Sequence, residues 1–276
     1  MLQRLRLAVR GLLRPRPIPE PLWQRTLADF PFLRSASDLP QLRLLCSRFL
    51  AQKEFHGTHG LAVTDDMALA IAAQACLPVL HLGLHWYKDF VGIVIYPGAM
   101  LAQREVRDGT GVVHRYSEPL AGQAMHHGPV VLNWQDVSQA GQTAALGTNL
   151  VIHEFAHKID LYGAPADADA DGCPPLPAGF MGAARTAGGA HAARQHWRAT
   201  LYAAYDQFAS QVRAAERFGA LVDTPWLDAY GATSPAEFFA VTLEAYFVAR
   251  SDFAKQCPSL LPLYDAFFRR PAAAGL

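Results

Sequence analysis

The chain has 276 residues, enough to bury one substantial core or a core with a small appendage. Hydrophobic residues make up 51% and charged residues 17%, which excludes an intrinsically disordered chain. The formal net charge is zero at pH 7, so no global field draws the chain to nucleic acid or to an anionic membrane.

In chain order, residues 1–10 alternate arginine with apolar residues in runs too short for a signal-peptide core, and they read as a frayed tail. Pro15, Pro17, Pro19 and Pro21 break regular structure. Residues 1–36 are therefore expected as an extended or frayed lead-in, followed by a single domain over 37–276. Residues 37–53 have helical periodicity, with Leu42, Leu45, Phe49 and Leu50 on one side. A second helical segment runs from the cap residue Thr64 to about Trp86, with Asp65 and Asp66 in its first turn and Pro78 kinking or dividing it. Residues 91–96 and 130–134 are β-branched runs bounded by Pro and Gly, hence strands, and a loop is expected over 136–148. The cysteines, Cys46, Cys76, Cys173 and Cys257, are far apart with no C-x-x-C pair. That excludes a disulfide scaffold or a cysteine zinc site and fits reduced thiols in the cytoplasm. No run of about 18 apolar residues exists to span a membrane.

The segment His153-Glu-Phe-Ala-His157 carries the chemistry. Residues four apart share a helix face, so both imidazoles can reach one tetrahedral metal ion. Glu154 between them can draw a proton from a metal-bound water, the H-E-x-x-H arrangement of zinc metallopeptidases. Apolar residues at Leu150, Val151, Ile152, Phe155, Ala156 and Ile159 predict a buried helix over about residues 149–162. Thr148 or Asn149 is its cap, Gly163 its C-terminal stop, and Lys158 an unexpected charge within it.

Residues 163–189 read as a loop. Asp167, Asp169 and Asp171 before Gly172 match the opening of an EF-hand loop, but Ala178 stands where its bidentate glutamate is required, leaving a solvated acidic loop. Helices are predicted over 190–218, 234–250 and 258–269. The order of elements gives one α+β domain, mostly helical with a small β-sheet.

A catalytic metal needs a third protein ligand. Asp160 shares the histidine face but is constrained by its own helix, so it suits orienting an imidazole. Glu237 and Glu244, seven apart, share a face of the later helix, and either could ligate. Ser234 and Glu237 also form an S-x-x-E capping box with Pro235 at the first position, so spacing leaves Glu237 as cap or ligand.

Several segments together, His153-Glu-Phe-Ala-His-Lys-Ile-Asp160, Gly128-Pro-Val-Val-Leu-Asn-Trp134, Tyr230-Gly-Ala-Thr-Ser-Pro-Ala-Glu237, Leu77-Pro-Val-Leu80 and Val94-Ile-Tyr-Pro97, resemble the Mlc titration factor A family of bacterial zinc peptidases. The resemblance runs from about residue 40 to 270, and the catalytic region is similar to the anthrax lethal factor protease domain. It implies a zincin-like fold with one Zn2+ ion held by His153, His157 and Glu237, and Glu154 as general base. It also implies that His114 is a fourth zinc ligand in a resting form, where the residues alone suggest a loop histidine, and that Tyr230 donates to the developing oxyanion. Residues 135–152 and 163–226 depart from the family pattern.

The expected function is zinc-dependent hydrolysis of a peptide or protein substrate, with aminopeptidase action on short peptides implied by the resemblance. The strand over 130–134 is expected as a sheet edge pairing with an extended substrate. The alternative is a regulatory binding protein that sequesters a transcriptional repressor in sugar-uptake control. A third reading is a structural zinc site closed by His114.

Overall fold

Among the described residues, four α-helices begin with a proline in their first turn, where the missing N–H has no intrahelical partner to lose. They are α1 (Glu20–Asp29), α2 (Leu39–Gln52), α7 (Pro235–Val248) and α9 (Leu261–Phe268). The computed structural model describes residues 15–269 other than 99, 108–112, 121, 125–127, 166–167, 178–179 and 183–185, and gives the backbone alone for 100–107, 113–120, 122–124 and 220.

Helix α1 corrects the expected lead-in. Pro21 starts this helix rather than breaking one. Trp23, Leu27, Phe30, Phe32 and Leu33 then enter the core with at most 8% exposure. Arg43 of α2 bonds the Glu20 carboxylate and the Ile18 carbonyl, tying the segment down. The expected tail at residues 1–10 lies outside the described residues.

Helix α3 (Asp65–Cys76) starts at its cap Thr64 as expected, but it ends at Cys76 and does not continue beyond Pro78 toward Trp86, where turns and a short 3-10 helix, Leu84–Tyr87, follow. Strands β1 (Glu54–Gly57), β2 (Gly92–Tyr96) and β6 (Val130–Asn133) pair in parallel. β5 (Gly122–Ala124) closes the order β1-β2-β6-β5 by antiparallel pairing with β6. Strands β3 (Met100–Arg107) and β4 (Val113–Leu120) form a separate antiparallel hairpin.

Two further expectations are corrected here. β6 is flanked on both sides, so it is interior and not the sheet edge; the edge beside it is β5. The expected loop over 136–148 is largely helix α4 (Trp134–Thr143) followed by a short turn of 3-10 helix, Ala144–Leu146. Asn133 starts α4, its Oδ1 accepting from the Asp136 amide at 2.8 Å.

The motif helix α5 (Leu150–Asp160) is enclosed by α3, α4, α7, β5 and β6. The long α6 (Ala187–Phe218) and the short α8 (Arg250–Gln256) complete the helical side. Trp197 of α6 stacks on Tyr264 of α9, centroids 5.7 Å apart. No helix among the described residues is long and apolar enough to cross a membrane.

Lys53, 8% exposed, donates to the carbonyls of Tyr87 and Phe90 and lies 3.7 Å from the Phe90 ring centroid. Burial pushes its amine down to about 7, and the charge of Lys158 acts the same way. The folded state thus holds this proton less tightly than the unfolded chain, whose lysine titrates near ~10.4. Stability should rise with pH between these values and fall as pH drops toward 7. Thermal melts should show a shallower rise in Tm from pH 7 to 9.5 for Lys53→Met than for the parent; equal slopes would contradict the assignment.

Candidate metal centre

Helix α5 begins at Asn149, whose Oδ1 accepts from the Ile152 amide at 2.9 Å. That start sets the rotation of the helix and points His153 and His157 at α7. His153 Nε2 lies 3.0 Å from Glu237 Oε2, His157 Nε2 lies 3.3 Å from the same oxygen, and the two Nε2 atoms are 3.3 Å apart. Ligands around a tetrahedral zinc with bonds of ~2.0–2.1 Å stand about 3.3–3.4 Å from one another. The donors therefore already stand close to the edges of such a tetrahedron, and their side chains are 12–20% exposed, leaving an open side. Among the described residues this is the group of His, Cys, Asp and Glu able to hold a metal ion.

The Glu237 side chain lies against the two histidines, not against the start of its own helix. The Glu237 amide donates to Ser234 Oγ at 3.2 Å, so Ser234 caps the helix, while the Glu237 carboxylate turns to the histidines. Burial works against the charge of Glu237, but the hydrogen bonds from His153 and His157 hold it well below the usual carboxylate range. Burial likewise disfavours charge on His153, yet Glu237 and Glu244 raise it well above the ordinary imidazole value. Carboxylates on both ring nitrogens favour a positive charge here, whether carried by a proton or a metal.

Glu154 is 3% exposed, and its Oε2 is buried without a hydrogen-bond partner. Burial pushes this carboxyl up to about 7, against the opposing pull of His153 and His157. A buried carboxylate oxygen left unbonded is costly.

The Tyr230 ring is 6.0 Å from the His153 ring and half exposed, so the tyrosine stands at the mouth of the site. His114 lies in β4 opposite Val106, a strand position and not a loop; its side chain lies outside the described residues. Glu244 does not join the donor group. Its Oε1 meets His153 Nδ1 at 2.7 Å, on the far side of the ring.

Lys158 is explained by its reach. It is 6% exposed, donates to the Gly128 carbonyl at 2.9 Å and lies over the Phe90 ring, fastening α5 to the approach to β6. Asp160 fastens the other end: its Oδ2 accepts from the Gly172 amide at 2.7 Å, while Trp197 donates to the Gly172 carbonyl at 3.0 Å. Asp171 pairs with Arg198 at 3.0 Å, so the acidic loop docks on α6 at this point; Asp167 and Ala178 lie outside the described residues.

A family model described as glucose-regulated metallo-peptidase M90 matches residues 3–269. The Mlc titration factor A of Klebsiella pneumoniae is 35% identical over 254 residues, covering 91% of this chain and 87% of that protein. That of Cronobacter sakazakii is 35% identical over 254 residues, covering 91% and 86%. That of Salmonella arizonae is 34% identical over 257 residues, covering 92% and 93%.

Gly172 adopts φ +76°, and a Cβ there would meet Leu201 Cδ2 and the Pro235 carbonyl at 2.7 Å. Gly172→Ala should cost at least ~1–2 kcal/mol for the left-handed backbone alone. A lowered Tm in calorimetry checks this; a parent-like Tm would show that the loop anchor can move aside.

Proposed function

The chain belongs to the glucose-regulated metallo-peptidase M90 family, and on that premise we propose that it hydrolyses peptide bonds at one zinc ion held by His153, His157 and Glu237. The observation that carries the reading is the set of three donors at near-tetrahedral separations, with the unbonded Oε2 of Glu154 buried on the same helix. When bound, zinc would polarise the scissile carbonyl and acidify its water.

Glu154 takes the proton of the attacking water and returns it to the leaving amine. Its burial in a low-dielectric pocket, which raises its basicity, suits that task. Tyr230, at the mouth beside His153, offers a hydroxyl to the oxyanion that develops on the scissile carbonyl. The outer edge of β5 is the strand edge next to α5, and an extended peptide could add to it through backbone hydrogen bonds. The family resemblance makes His114 a candidate fourth ligand of a resting site, and its side chain lies outside the described residues. Short peptides are the substrates, with aminopeptidase action among the modes to test, and four free cysteines fit work in the cytoplasm.

The name of these relatives, Mlc titration factor A, favours a second and compatible activity: sequestration of an Mlc-like transcriptional repressor. Binding of that kind does not require Glu154.

Glu154→Gln should keep zinc at one equivalent and lose ~10²–10⁴-fold in peptide hydrolysis. Zinc content by atomic absorption and turnover of chromogenic peptides check this together. Retained zinc with undiminished turnover would contradict the role of Glu154.

A further inference from the structure

Glu244 lies on α7 two turns beyond Glu237 and is 6% exposed. Each of its oxygens meets a different donor: Oε1 faces His153 Nδ1 at 2.7 Å, and Oε2 accepts the Asn149 amide. Asn149, 1% exposed, is itself held at its side chain. Its Nδ2 donates to Gln74 Oε1 at 2.8 Å. Gln74 is wholly buried in α3, with its Nε2 bonded to the Ala70 carbonyl at 3.0 Å. A continuous buried chain of hydrogen bonds thus runs from α3 through the cap of α5 and across to α7, and ends on one imidazole.

We infer that Glu244, aimed by Asn149 and Gln74, is a positioning residue that keeps the His153 proton on Nδ1 and turns the Nε2 lone pair toward the metal. The inference rests on the reading of His153 as a ligand. Proton bookkeeping supports it. A neutral imidazole that ligates through Nε2 carries its hydrogen on Nδ1, so that nitrogen can only donate. The Asn149 amide can only donate as well. Glu244 must then accept on both oxygens, which is the work of a carboxylate. Such an outer carboxylate fixes ring orientation and raises ligand basicity. A residue that merely filled the space or capped the helix would not need acceptors on both sides.

Glu244→Gln tests this, because it keeps the shape and turns one acceptor into a donor that must oppose either Asn149 or His153. Zinc affinity is read by competition with a chromogenic chelator, and ligand strength by the visible d–d bands of the Co(II)-substituted protein. The variant should bind zinc ~10–100-fold more weakly and shift the Co(II) bands. Asn149→Ser keeps a cap oxygen and the backbone amide but releases Gln74; it should weaken zinc binding by a smaller factor. Wild-type affinity and an unchanged Co(II) spectrum in Glu244→Gln would overturn the assignment while leaving the metal site intact. If Glu244→Gln does not fold, Asn149→Ser decides, and parent-like values in it overturn the assignment. A folded parent without zinc affinity would overturn the metallopeptidase reading and this inference with it.

Discussion

His153 stands between two carboxylates of one helix, Glu237 at Nε2 and Glu244 at Nδ1, and the remainder of the site follows from that clamp. It exists because α5 packs against α7, with the face repeating at four residues in one helix opposite the face repeating at seven in the other. Such concentrated negative charge in a buried setting is costly unless a cation shares it. A metal ion at the three donors would relieve the site, and the raised basicity of His153 reflects the same electrostatic demand.

The scaffold around the clamp limits how far α5 can shift. Asn149 fixes its start, Lys158 ties its flank to Gly128, and Asp160 ties its end to Gly172. Each of these is a polar group buried where an apolar one would pack more easily. A one-ångström displacement of a ligand helix matters more to a metal site than to a core, which gives these costly groups a purpose.

Much of this was legible in the chain. The histidine spacing, the apolar wrap of the motif helix and its asparagine cap are local features, and α5 follows them closely. The resemblance that named Glu237 is consistent with its position against both histidines. Glu244 was visible as a partner on the same face, but whether it reaches Nε2 or Nδ1 depends on how two helices cross, which no spacing states. The N-terminal segment departs from its expected lead-in because prolines that break a helix interior also begin a helix, and Pro21 does the latter. Helix α4 was missed because its buried face consists of Val137 and Ala140 alone, too little for a periodic signal. Strand β5 has three residues, below what any alternation reveals, and its pairing turned the expected edge strand β6 into an interior one.

The central claim is that one metal ion completes His153, His157 and Glu237. Crystals of the zinc-loaded protein, measured at the zinc absorption edge, test it directly. A single anomalous peak is expected within ~2.0–2.2 Å of both histidine Nε2 atoms and a Glu237 oxygen. Glu244 should lie outside bonding distance on the far side of His153. A peak held by other residues, or no peak at these three atoms, would contradict it.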